Sequence, residues 1–303
     1  MSASNPFKTF AIENLSRMFV HFPSRQGLSA SVLRGLMSKA GRIFPVDQRL
    51  AFRQLHLAGM QCEEIRHKRD SATQLIIHIH GGAFFLGGLE SHRGLMCDLV
   101  RATGAQVIHM DYPLAPEHPF PSALETLQAA YLEALEQGIS AKNITLSGDS
   151  CGGNLALALC LKLRDEKLPL PNGLILLSPW LDLSLSGASM KRNAKHDALL
   201  SEQILRDGIR YYLNDDASVD EPYVSPLFAN LKGLPEMLIH VGSKEILLDD
   251  AKRLKDAADR ADVACTLTIY SGMWHNFHMF SHWVDPAKRA LKDIAKFVDR
   301  IDR

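Results

Sequence analysis

Apolar positions in the first fifty residues recur at helical spacing. Phe7, Phe10, Ala11, Leu15, Met18 and Phe19 form one set and Leu28, Val32, Leu33, Leu36, Met37 and Ile43 another, predicting two amphipathic helices. From Phe52 the pattern shifts to short β-rich runs, and 52–57 with 62–67 predict a hairpin. Buried-strand runs follow at 75–79, 105–110, 143–146, 174–177, 237–241 and 265–270. Helical patterns lie between most of them, including 122–137, 153–166 and 248–261. Such alternation predicts an α/β chain with a mostly parallel central sheet flanked by helices on both faces. The stretch 184–220 breaks the rhythm and reads as a polar, mostly helical insertion. The predicted division is therefore 1–48 as N-terminal helices and 49–303 as the α/β body, with 184–220 inserted in it.

The sharpest local signal is Gly148-Asp149-Ser150-Cys151-Gly152, placed between a predicted strand and a predicted helix. Glycines at both ends permit a tight turn that lifts a serine hydroxyl above the sheet, and the following helix points its positive end at the site. Upstream, His80-Gly81-Gly82-Ala83-Phe84 directly follows the strand at 75–79. Consecutive glycines there leave backbone N–H groups to face a ligand, as an oxyanion requires. On its own the run also reads as a plain glycine turn.

A serine nucleophile needs a base, and the base needs an orienting acid. Among 13 histidines, His275 follows the last strand, at the sheet edge where open α/β folds place their sites. His278 competes with it, and His240 lies within a strand and reads as core. Glu245 follows the strand at 237–241 and is the candidate acid; Asp249 and Asp250 are rivals, better suited to the first turn of the next helix. The chain order is then Ser, acid, His. The aromatics Phe7, Phe10, Phe19, Phe84, Phe85 and Trp274 either line an acyl pocket or are simple core, and Trp180 and Asp182 are left undecided.

Composition narrows the partners. With 34 Lys+Arg against 34 Asp+Glu there is no electrostatic case for nucleic acid. No apolar run approaches the ~20 residues of a membrane span, and the first ten residues lack a secretory pattern, so a cytoplasmic protein is expected. The five cysteines are scattered without a CxxC pair and indicate neither a disulfide framework nor a zinc knuckle. His78 and His80 lie two apart but have no acidic or cysteine ligand near them in sequence, which disfavours a metal hydrolase.

Together with Asp111-Tyr112-Pro113-Leu114-Ala115-Pro116-Glu117 and Gly272-Met273-Trp274-His275, the two glycine motifs resemble those of the hormone-sensitive-lipase-like (family IV) carboxylesterases of the α/β-hydrolase superfamily. The resemblance covers most of the chain from about Leu75 onward. It implies an α/β-hydrolase fold with a helical cap made by 1–48 and 184–220. It also implies Ser150 as nucleophile, His275 as base, and an oxyanion hole from the backbone of Gly81, Gly82, Ala83 and Cys151. The expected activity is hydrolysis of short- to medium-chain esters through a Ser-His-Glu triad and an acyl-enzyme, with no cofactor and no metal. A small-molecule ester is the expected partner, and the family implies a homodimer through the last strand, which an edge strand alone does not establish. The alternatives are a non-catalytic small-molecule-binding protein on the same fold and an amidase or lactonase using the same triad. Four departures stand out: Glu245 where aspartate is common, Ala83 for a third glycine, Cys151 for alanine, and Pro113 for arginine.

Overall fold

A computed structural model describes residues 12–13, 28–69, 72–213 and 217–302. Phe7, Phe10, Ala11, Leu15, Met18 and Phe19, which carry the first predicted helix, lie outside the described residues. The second helix is α1, Ala30–Gly41, with Ser29 Oγ as its N-cap, accepting from the Val32 N–H at 3.5 Å.

The described strands form one eight-stranded sheet in the order β1-β2-β4-β3-β5-β6-β7-β8. In chain order they are Leu50–Leu57, Met60–His67, Leu75–Ile79, Gln106–Met110, Ile144–Asp149, Gly173–Leu177, Glu236–Gly242 and Cys265–Tyr270. The β1–β2 hairpin is antiparallel, β2 runs antiparallel to β4, and every later pair is parallel. Strand β8 forms one edge.

Alternation along the strands divides the core into two layers. Ile76, Val107, Ile175, Leu177 and Leu238 face helices α2 (Leu89–Thr103) and α8 (Asp285–Ile301). Ile77, Ile79, Leu146, Leu174, Leu176 and Ile239 face the opposite layer, which includes α3 (Ser122–Glu136), α4 (Cys151–Asp165) and α7 (Leu248–Arg260). Both faces are covered, which is why the central strands are buried on both sides and mostly apolar, with His78, His109, Thr145, Ser147 and His240 as buried polar exceptions.

The expected sheet and its flanking helices are present, with local corrections. Helices α2 and α8 are not among those the pattern singles out. Strand β5 runs on to Asp149, and α4 starts at Cys151 rather than at 153, so the strand-to-helix turn is a single residue. The 184–220 segment is less helical than expected: it holds α5, Ser189–Arg192, and α6, Glu202–Tyr212, with turns and irregular chain around them. Carboxylates do much of the fixing there. Asp182 accepts from the N–H and hydroxyl groups of Ser184 and Ser186, and from Arg253 at 2.7 Å.

Candidate active site

Ser150 is the one residue between β5 and α4, at φ 54° and ψ −124°, a conformation strained for an L-residue. Its neighbours make that turn sterically possible. A Cβ on Gly148 would lie 2.2 Å from the Gly152 carbonyl oxygen, and one on Gly152 would lie 2.0 Å from that of Ile79. The turn is tied down by main chain: the Ser150 N–H donates to Leu177 O at 2.9 Å, and Ser150 O accepts from the Trp180 N–H at 3.0 Å.

Beyond the ends of β7 and β8, Glu245 and His275 meet. His275 Nδ1 lies 2.9 Å from Glu245 Oε2, and both side chains are buried. The other carboxylate oxygen, Oε1, accepts from the Ser178 hydroxyl at 2.7 Å and from the Gly242 N–H. Burial alone would lower the His275 pKa, but the hydrogen bond and charge of Glu245, with Asp197 and Asp149 behind it, raise it above the ordinary 6.5. Asn276, next in the chain, donates from Nδ2 to Asp149 Oδ2 at 2.5 Å, and its N–H donates to Ser178 Oγ at 3.2 Å. The residue after His275 is thus bonded directly to the residue before Ser150.

The His-Gly-Gly loop lies against the same turn. Gly81 needs to be glycine because a Cβ would meet Asp149 Oδ2 at 2.3 Å, and Gly82 has φ +125°. One expectation is corrected here: the Gly81 N–H already donates to Asp149 Oδ1 at 3.0 Å and is not free for an oxyanion. Among the described residues, no oxygen accepts from the N–H of Gly82, Ala83 or Cys151. Cys151 Sγ accepts from the Phe84 N–H at 3.1 Å, and burial pushes this thiol up to about 12, so it is neutral. Tyr112 stacks on the His80 ring at 4.4 Å and donates its hydroxyl to His80 O at 3.0 Å.

Where Pro113 leaves its motif without an arginine, Arg34 from α1 provides a guanidinium. It donates to Phe85 O at 2.7 Å, Ala115 O at 2.5 Å and both Glu117 carboxylate oxygens at 2.9 and 2.6 Å. From the 184–220 segment, α6 packs on the loop: Tyr212 stacks on Phe84 at 3.8 Å, and a Cβ on Gly208 would lie 2.6 Å from Ala83 O.

Asp149 also joins a buried histidine cluster that sequence spacing could not reveal. His78 Nε2 lies 3.1 Å from its Oδ1 and His92 Nε2 lies 3.4 Å from its Oδ2. Burial would raise the Asp149 pKa, but His92 and His78 hold it well below the ordinary carboxylate range. The fold therefore brings an acid to His78 that the sequence lacks nearby, yet among the described residues no group of three or more metal-ligating side chains is arranged to hold an ion.

The rival residues are engaged elsewhere. Asp249 accepts from the Ser189 N–H at 2.8 Å and pairs with Arg192 at 2.9 Å. Asp250 accepts from the N–H groups of Leu181 and Asp182 at 2.8 and 3.1 Å, and burial pushes it up to about 7. His278 stacks against His240, ring centroids 5.6 Å apart, both buried. Phe84, Phe85 and Trp274 are fully packed, as is Trp180, whose indole N–H donates to Asp182 O at 3.1 Å.

Comparison with known proteins adds a second line of observation. A family described as having the alpha/beta hydrolase fold matches residues 76–279. An esterase from Acinetobacter venetianus is 50% identical over 302 residues, covering 100% of this chain and 99% of that protein. An acetyl-hydrolase from Streptomyces hygroscopicus is 39% identical over 238 residues, 78% of each chain. The crystal structure of an esterase from the bacterial hormone-sensitive lipase family superposes with a TM-score of 0.93 at 31% identity, covering 100% of both chains.

Proposed function

The chain belongs to the hormone-sensitive-lipase-like carboxylesterases of the α/β-hydrolase superfamily, and from that premise we propose that it hydrolyses short- to medium-chain carboxylic esters through Ser150, His275 and Glu245. The observation that carries the reading is the buried His275–Glu245 pair at 2.9 Å, joined through Asn276 and Asp149 to the strained Ser150 turn.

Ser150 Oγ attacks the ester carbonyl as His275 Nε2 takes its proton. Glu245 keeps the imidazole proton on Nδ1, leaving Nε2 basic, and stabilises the imidazolium that forms. The N–H groups of Gly82, Ala83 and Cys151 receive the oxyanion, each donor contributing roughly 3 kcal/mol to the transition state. His275 then protonates the leaving alcohol. Water, activated by the same imidazole, releases the acid from the acyl-enzyme. Glutamate in place of aspartate is accommodated because Ser178 and Gly242 fix the far carboxylate oxygen.

Residues 1–48 and 184–220 form the cap in this reading, supported by Arg34 and Tyr212, which hold the oxyanion loop from outside the α/β body. Short acyl groups are favoured by the 39% identity to a protein named acetyl-hydrolase. No described helix is long and apolar enough to cross a membrane. A homodimer through the exposed edge of β8 and a cytoplasmic location belong to the same reading.

The test is hydrolysis of p-nitrophenyl esters from acetate to palmitate by wild type and Ser150→Ala. Turnover is expected on the short esters, falling towards palmitate, with kcat lower by about 10⁴ to 10⁶ in the variant. Near wild-type turnover by folded Ser150→Ala would overturn the scheme.

A further inference from the structure

A second buried carboxylate lies behind the His275–Glu245 pair. Asp197 comes from the 184–220 segment, between α5 and α6, and is 1% exposed. Its Oδ2 accepts from the N–H of Ile246, the residue after Glu245, at 3.0 Å. Its Oδ1 accepts from the His275 N–H at 3.4 Å and from the Leu199 and Leu200 N–H groups at 3.2 and 3.3 Å. Four residues earlier, Asn193 donates from Nδ2 to the Glu245 carbonyl at 2.7 Å. One side chain therefore spans the acid-bearing turn, the base-bearing loop and the inserted segment.

We propose that Asp197 is a positioning residue for ester hydrolysis: it holds the Glu245 and His275 backbones in register and places a second negative charge behind the imidazolium. The proposal rests on the reading of His275 as base and Glu245 as its partner. Four N–H donors offset much of the cost of burying the charge. Burial pushes Asp197 up to about 6, Glu245 adds to that rise and His275 opposes it, so the carboxylate is ionised at neutral pH. The charged groups facing His275 are Glu245 from the β7–α7 turn, Asp197 from the insertion and Asp149 from the Ser150 turn; His278, on its own loop, stays neutral through burial.

The sign of the effect follows. A negative charge raises the imidazole pKa, and the base works only when neutral, so removing the charge moves the acid limb of kcat/KM to lower pH. The experiment measures p-nitrophenyl butyrate hydrolysis from about pH 5 to about pH 9, with Tm, for wild type, Asp197→Asn, Asp197→Glu and His275→Ala. Asp197→Asn is expected to lower kcat about tenfold with KM within about twofold. Its acid limb should move down by about half a unit or more, while Asp197→Glu keeps the wild-type limb. A lower Tm with an unmoved limb in Asp197→Asn would reduce Asp197 to a structural part and overturn the proposal. Should Asp197→Asn not fold, Asp197→Glu decides it: a wild-type limb with lower kcat supports the proposal, and a limb shifted down overturns it. His275→Ala separates the two levels. Full activity there removes the base assignment on which the proposal rests; an inactive His275→Ala beside an unmoved Asp197→Asn limb removes only the role of Asp197.

Discussion

Around Ser150 the chain is positioned chiefly by main-chain atoms, whereas around His275 it is positioned chiefly by side chains. Gly242, where a Cβ would lie 2.4 Å from Met273 O, gives the histidine side one close main-chain approach of its own. The serine turn depends on Gly148, Gly152 and Gly81 having no Cβ, and on bonds from Ser150 to Leu177 and Trp180. The His275 loop depends on Glu245, Ser178, Asp197 and the Asn276–Asp149 bond. Steric constraints tolerate no added atom, while a polar network tolerates a change of shape better than a loss of charge. The two halves should therefore fail in different ways.

The largest effect is expected where one methyl group enters the main-chain half. Gly152→Ala puts a Cβ 2.0 Å from Ile79 O, against backbone that cannot turn aside. It is expected to lose about 3 kcal/mol or more of stability, read by urea unfolding, and to abolish measurable turnover. A stable, active Gly152→Ala would mean the turn is held less tightly than these contacts require. Next comes Glu245→Gln, which keeps the shape but not the charge. It is expected to fold normally and to lower kcat by about 10² to 10⁴. Its acid limb should also fall, because the partner that raises the His275 pKa loses its charge. The smallest effect belongs to Asp249→Asn, whose carboxylate is engaged with Ser189 and Arg192; kcat should stay within about twofold of wild type. The reverse ranking in the same kinetic assay would transfer the acid's role to Asp249.

The same contrast explains what could be read from the sequence. The Ser150 turn was legible because it joins an apolar strand, two glycines and a helix within a few residues. Most strands were legible too, since burial on both faces leaves continuous apolar runs such as 174–177. Helix α2 gives a weak sequence signal because it buries Ser91, His92 and Asp98, which dilute its apolar stripe. Helix α8 carries a clearer stripe in Ala287, Ala290, Leu291, Ile294 and Val298. The supports of His275 had no comparable signal. Asp197 lies 78 residues from His275, and Asn276 lies 127 from Asp149; a lone polar residue in a loop carries no periodicity. The glycine motif points Gly81 at an oxyanion for the same reason, because the carboxylate that takes its N–H is 68 residues away.

The most direct test of the account is covalent labelling of the native protein with a p-nitrophenyl alkylphosphonate, followed by intact mass and peptide mapping. Attack by an activated serine displaces p-nitrophenol and leaves the phosphonate on oxygen. The expected result is one adduct per chain, mapped to Ser150, absent from Ser150→Ala and formed in step with loss of esterase activity. An adduct on another residue that tracks the loss of activity, or esterase activity persisting after Ser150 is fully modified, would contradict it.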